Sequence, residues 1–310
     1  MSRIVCVGAA GIDRLYRAHD ALESGTSNPA AVRLKHGGVA RNVAETLARL
    51  DHDVEFVSIV GDDAGGAAII CELKNLGVET RHVVRSREHR TAEYAAILRP
   101  NGELELGAAD VSILDTFGPA ELERAHAAFA GADFIFADCN LSSAALETLP
   151  SLARTTHGRL AVDAVSVAKA QRLPHALDGI DLLFVNAAEA AALAGTANAK
   201  PEDASRALHG RGAAVVIIGL GSRGALVVDE AGARTIDPLP AMSIVDVTGA
   251  GDALIAGTIH ATLGGATLDD AVRAGVFLAT LTLGCEGSVR PDLSRDLLKT
   301  ERLRTAIEAR

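Results

Sequence analysis

Apolar runs, broken at Glu55 and Ser58 in the second of them, punctuate the chain at 4–7, 54–60, 134–137, 160–162, 182–185, 215–219 and 225–228. A strand covered on both faces reads as such a run, because neither row of its alternating side chains meets water. Between most of these runs the apolar positions recur at helical spacing, over 39–50, 64–76, 119–129, 187–194 and 201–209. Strand alternating with helix predicts an α/β fold, a parallel sheet covered on both faces. Any ligand crevice then lies beyond the carboxyl ends of the strands, so residues just after a strand carry the most information.

One region breaks the alternation. Thr80-Arg-His-Val-Val, Thr91 to Leu98 and, after the Asn101-Gly102 turn, Glu103-Leu-Glu-Leu read as antiparallel hairpin material. Together with 15–32 they predict a small second sheet, a lid built from about 14–35 and 79–108 on one domain spanning 1–310. Its exposed edges favour pairing with a second copy, a homodimer. The last stretch reads as all helical, over 249–263, 268–283 and 293–309, and no repeat, low-complexity tract or linker interrupts the chain.

Composition sharpens this picture. Hydrophobic residues make up 48% of the chain and aromatics 3%, with no Trp, so the core should be aliphatic. A formal charge of -10 argues against nucleic acid as a partner, and leaves phosphate-bearing ligands to be held by backbone dipoles and a metal. Cys6, Cys71, Cys139 and Cys285 are far apart in sequence and are expected to be buried thiols in a reducing compartment. The start lacks the pattern of a secretory leader and no apolar run reaches roughly 18 residues, so the expectation is a soluble, cytoplasmic protein without membrane contact.

Five motifs carry candidate chemistry. Thr248-Gly249-Ala250-Gly251-Asp252 opens an apolar helix, where unpaired amides and the positive dipole end suit a phosphoryl group, and Asp252 is placed as a general base beside it. The same residues could form an ordinary helix cap with a first-turn acid. His36-Gly37-Gly38-Val-Ala-Arg-Asn42 allows close backbone approach, and Asn42 offers donors and acceptors to a sugar diol. Asp13, after the glycines that end the first strand, is placed to accept from two ribose hydroxyls. Asn186 and Glu189, three apart after a strand, suit Mg2+ or its water shell, or else a capping box. Gly219-Leu-Gly221-Ser222-Arg-Gly224 joins two strands, either as a nucleotide-wrapping loop or as a hairpin.

The order and separation of these motifs resemble the ribokinase/PfkB carbohydrate kinases across nearly the whole chain. Asp246-Val-Thr-Gly-Ala-Gly-Asp252 is similar to that family's most specific signature, and Gly37-Gly38-Val-Ala-Arg-Asn42 to its N-terminal one. The resemblance implies a ribokinase-like three-layer α/β/α fold, and ATP and Mg2+ as cofactors, with K+ in many members. It implies Asp252 as catalytic base and the Gly249, Ala250 and Gly251 amides as anion hole. Asp13, Gly37, Gly38 and Asn42 become sugar contacts, and Asn186 and Glu189 the magnesium motif. Gly219, Gly221, Ser222 and Gly224, with Thr248, become ATP contacts, and Asp246 and Thr248 a monovalent-cation site. Ser27-Asn-Pro29, Asp138-Cys-Asn140-Leu-Ser142 and Val165-Ser-Val-Ala-Lys169-Ala are similar to the pseudouridine kinase branch, which implies that nucleoside as acceptor, with Thr91, Asn140 and Lys169 near the base or phosphates.

Overall fold

A computed structural model describes residues 2–196, 199–239 and 243–308. In chain order the elements are β1 (Arg3–Val7), β2 (Gly11–Ala18), β3 (Ala30–Gly37), α1 (Val39–Arg49), β4 (Asp53–Gly61), α2 (Ala64–Asn75), β5 (Val83–Ser86), β6 (Ala92–Leu98), β7 (Leu104–Asp110), α3 (Pro119–Arg124), α4 (His126–Phe129) and β8 (Phe134–Asp138). They continue with α5 (Ser143–Thr156), β9 (Arg159–Asp163), α6 (Val167–Ala170), β10 (Leu182–Asn186), α7 (Ala187–Leu193), α8 (Pro201–Gly210), β11 (Val215–Gly219), β12 (Ala225–Asp229), β13 (Gly232–Ile236), α9 (Ala250–Leu263), α10 (Leu268–Thr282) and α11 (Arg295–Glu308).

The described residues form a nine-stranded sheet in the order β13-β12-β11-β10-β9-β8-β1-β4-β5, parallel except for the β11–β12–β13 edge. Alternate residues of each strand feed opposite cores. Val5, Val7, Ile135, Val216 and Ile218 pack on one face with Leu122, Leu146, Leu149 and Leu208 from α3, α5 and α8. Ile4, Cys6, Phe134, Phe136 and Ile217 pack on the other with Val43, Leu47, Ile69, Ile255 and Val272 from α1, α2, α9 and α10. That is the expected three-layer arrangement. The strand ends converge on the N-terminus of α9.

A separate four-stranded sheet, β3-β2-β6-β7, stands beside these ends. It does not include the 79–90 stretch expected there. Val83–Ser86 instead pairs in parallel with Ser58 to Gly61 of β4 and extends the large sheet. Three further expectations change. The helix expected over 119–129 is broken at Ala125 into α3 and α4, and α5, with Pro150 in its interior, was not anticipated. Residue 309 of the expected last helix lies outside the described residues. All four cysteines are free, but only Cys6 and Cys139 are buried, Cys71 being exposed and Cys285 partly so. Among the described residues no helix is long and apolar enough to cross a membrane.

Candidate active site

α9 begins without a side-chain cap. Its cap residue is Gly249 at φ 79, and a Cβ there would lie 2.0 Å from the Ser288 carbonyl oxygen, so any larger residue would displace the helix start. The Ala253 amide is the first to reach back to Gly249, at 2.9 Å. The amides of Ala250, Gly251 and Asp252 therefore have no preceding-turn carbonyl, and Gly251 is exposed with open space where a side chain would be.

Asp252 is partly buried in this first turn, and its Oδ2 accepts from Asn42 Nδ2 at 2.7 Å. Burial pushes its carboxyl up to about 7, the Asn42 hydrogen bond pulls against that, Asp138 and Asp13 add to the rise, and Arg41 opposes it. Asp13 comes from β2. Gly37, two residues along from its partner Lys35, makes room for it, since a Cβ on Gly37 would lie 2.3 Å from Asp13 Oδ2. Burial raises the Asp13 carboxyl too, against Arg41 and Lys35. Gly38 is the cap residue of α1, which carries Asn42. The structure thus brings Asp13, Asn42 and Asp252 together from three distant segments.

Two acids that sequence reasoning did not assign underlie this group. Asp138, fully buried at the end of β8, accepts from the amides of Ala9 and Ala40 at 2.9 Å each and from the Asn140 amide at 3.0 Å. It pins the β1 exit and the start of α1 to one point. Asp163 ends β9 directly opposite Asp138. Burial, then Asp252, Glu189 and Asp138, push its carboxyl well above the usual range, against the Val165 amide. The missed signal was an acid closing each of two apolar strands. Beside Asp138, Lys169 Nζ meets Asn140 Oδ1, and burial holds the Lys169 ammonium below its ordinary pKa.

Asn186 and Glu189 form the capping box outright. Asn186 Oδ1 accepts from the Glu189 amide at 2.9 Å, and the Glu189 carboxylate accepts from the Asn186 amide at 2.8 Å and from Asn186 Nδ2 at 2.6 Å. Each Glu189 oxygen keeps a further lone pair, which suits a hydrated ion better than direct ligation. Among the described residues no group of three or more His, Cys, Asp or Glu side chains is arranged to hold a metal ion.

Both carboxylate oxygens of Asp246 are already engaged. Its Oδ1 accepts from the Thr248 amide at 2.9 Å, and its Oδ2 from the Gly287 amide at 3.1 Å and from the Lys35 ammonium at 3.2 Å. Burial pushes this carboxyl up, but Thr248, Gly287 and Lys35 outweigh it and hold it at about 2. The ammonium of Lys35 stands where a bound cation would have to compete.

Gly219 ends β11, where a Cβ would lie 3.8 Å from Leu254 of α9, and Gly221, Ser222 and Gly224 form the turn into β12, with Ser222 exposed. The hairpin alternative is the observed connection. Thr91 is not brought to the catalytic group. Its hydroxyl donates to Asp63 at 2.7 Å and accepts from the Gly61 amide at 3.0 Å. It lines a cavity of about 550 Å³ with Arg14, Arg90 and Glu93, on the face of the small sheet opposite Asp13. Tyr94, in register with Asp13, occupies the site-facing side instead.

The sequence model of the pfkB family carbohydrate kinases matches residues 1–295. The chain belongs to that family. Pseudouridine kinase of Escherichia coli (strain K12) is 30% identical to this pfkB family member over 295 residues, 94% of this chain and 93% of that one. The solved structure of a carbohydrate kinase from Agrobacterium tumefaciens is 31% identical, with a TM-score of 0.86 over 97% of this chain and 96% of the other. A ribokinase from Arabidopsis thaliana, complexed with ribose and ATP, shares the fold at 21% identity, with a TM-score of 0.81 over 96% and 97% of the two chains. This pfkB family chain is accordingly a phosphotransferase for a sugar or nucleoside on a ribokinase-like fold.

Proposed function

We propose that this kinase transfers the γ-phosphoryl group of ATP to the 5′-hydroxyl of pseudouridine, giving pseudouridine 5′-phosphate, with Asp252 as general base. The observation that carries the reading is a carboxyl held at about 7 in the first turn of a helix whose leading amides are open. A base is most effective when its pKa lies near the working pH, and open amides at a helix start stabilise charge gathering on a phosphoryl group.

Asn42 occupies Asp252 Oδ2, which leaves Oδ1 for the acceptor hydroxyl. The 5′-oxygen bonds to the γ-phosphorus as the bond to the β–γ bridging oxygen breaks, its proton passes to Asp252, and ADP leaves. Asp13 and the second N–H of Asn42 orient the ribose. The Gly249, Ala250 and Gly251 backbone cradles the moving phosphoryl group, and the Gly219 to Gly224 turn, with Thr248, borders the nucleotide. Asn140 and Lys169 reach the base or the phosphates, and the small sheet acts as the lid.

The acids around the site and the net charge of -10 would repel ATP unaided. Bound Mg2+ supplies the neutralising charge on the phosphates, and Asn186 and Glu189 would hold its water shell. A second copy of the chain is the expected partner. Val32, Leu34 and Leu106 are exposed on the outer face of the small sheet, and Val32, Tyr16, Ile97 and Leu106 form one register row across it.

Asp13 and Asn42 meet the ribosyl part of an acceptor and not its base, so ribose and other nucleosides are the competing acceptors. ADP release by the purified protein with pseudouridine, uridine, guanosine and ribose separates them. Pseudouridine is expected to give the highest kcat/KM, with phosphorus coupled to the 5′ protons of the product. A higher kcat/KM for ribose or guanosine would assign the acceptor otherwise.

A further inference from the structure

Asn42 lies between a side chain that can only donate and one that, when ionised, can only accept. Arg41 Nη1 donates to Asn42 Oδ1 at 2.7 Å, and Asn42 Nδ2 donates to Asp252 Oδ2 at 2.7 Å. In most surroundings an amide side chain can be turned either way. Here a flip would face two sets of N–H groups and pair an oxygen with a carboxylate, so one orientation survives.

Arg41 is itself immobilised. It is 4% exposed, pairs with Glu45, and reaches Glu72 and the His36 carbonyl at 3.0 Å each. Glu45 is gripped from its other side by Arg49 at 2.8 Å, and the His36 ring meets Glu72. Fixing so many long side chains costs entropy, and a buried guanidinium costs desolvation. The local helix needs none of this, since α1 is already anchored by its apolar face. The cluster ends at the carboxylate of Asp252.

We propose that Arg41 is a positioning residue for Asp252 and acts through Asn42, locking the amide so that its NH2 group holds Asp252 Oδ2 and leaves Oδ1 toward the acceptor. The kinetic part of this inference rests on Asp252 being the base, whereas the geometric part does not. The charged groups facing Asp252 are Arg41 from α1, Asp13 from β2, Asp138 from β8 and Asp163 from β9. Of these four, Arg41 is the cation. Its loss removes both the locked donor and the opposing charge, so Asp252 should titrate at higher pH.

The test follows the Asp252 carboxyl carbon by 13C NMR, assigned by its disappearance in Asp252→Asn, alongside the pH profile of kcat with the best acceptor of the panel. Arg41→Gln leaves the buried Glu45 with Arg49 on one oxygen and the other oxygen without its guanidinium. The paired variant Arg41→Gln/Glu45→Gln removes both charges and is therefore the one to measure if the single variant fails to fold. The expected result is a midpoint about one unit higher, a kcat deficit of roughly fivefold at pH 7 that shrinks by pH 9, and KM for ATP changed less than about threefold. In an Asn42→Ala background the same change should move the midpoint less, because the route through the amide is gone and only the direct charge effect is left. Coincident midpoints with and without Arg41, or an undiminished shift in the Asn42→Ala background, would overturn the proposal. An NMR midpoint that moves while kcat does not follow it would leave the positioning role standing and count against Asp252 as base.

Discussion

Asp252 occupies a position where a helix dipole favours negative charge, yet burial and the Asp138 and Asp13 carboxylates drive its pKa up to about 7. Two outcomes follow from that balance. Activity should rise with pH through about 7, as the base ionises, in steady-state kcat measured from pH 5.5 to 9. The stability effect has the opposite sense. A carboxyl whose folded pKa lies above its unfolded value favours folding below the unfolded value, and that contribution is lost as pH rises through the folded one. Asp252→Asn should therefore raise Tm by a few degrees at pH 8 and leave it nearly unchanged near pH 4, by calorimetry. Asp252 and Asp13 were legible in the sequence because glycines flag the backbone around them. Asp138 and Asp163 were not, because an acid at a strand end gains its role only from partners far along the chain, and the Ala9 and Ala40 amides lie 129 and 98 residues from Asp138.

Elements meet the site through ion pairs that periodicity does not reveal. β3 reaches the start of α9 through Lys35 and Asp246 at 3.2 Å, and the loop before Gly287 through Arg33 and Glu286 at 2.5 Å. Replacing K+ by tetramethylammonium should change the initial rate less than twofold in the unaltered protein, whereas Lys35→Met should show K+ activation and a raised acceptor KM. A second contact joins the α1–β4 turn to α9, where His52 Nε2 lies 2.8 Å from His260 Nδ1. Burial, then His260 and Arg295, lower the His52 pKa to about 4, so the ring stays neutral in the fold. The unfolded chain takes up that proton first as pH falls. Stability is full above about 6.5 and declines toward pH 4, by up to about 3 kcal/mol. His52→Phe should flatten that slope in urea titrations run at pH 4.5 and 7.

The strands and most helices were legible because each apolar run is long enough to fix its own type. The 79–90 stretch was not, since a short strand such as Val83–Ser86 carries no mark of which sheet will take it. α5 was not legible, and it carries in its interior Pro150, a residue that disfavours helix and is buried there.

At the scale of the whole molecule, nine strands among the described residues form the large sheet and four form the small one beside it. The alternation that turns Asp13 and Lys35 inward also turns Val32, Leu34 and Leu106 outward, so site and apolar face are two sides of one sheet. Sedimentation velocity should show a dimer at micromolar concentration, and Leu34→Glu with Leu106→Glu should give a monomer. The sequence order of the glycine motifs made the family readable, whereas the choice of acceptor depends on a few side chains around the site. Phosphoryl transfer is expected to turn on one carboxylate, Asp252. The most direct test is single-turnover transfer of the ATP γ-phosphoryl group to pseudouridine by the unaltered protein and by Asp252→Asn. A rate lowered by about a thousandfold with ATP affinity retained is the expected result, and a rate within about tenfold of the unaltered protein would contradict the assignment.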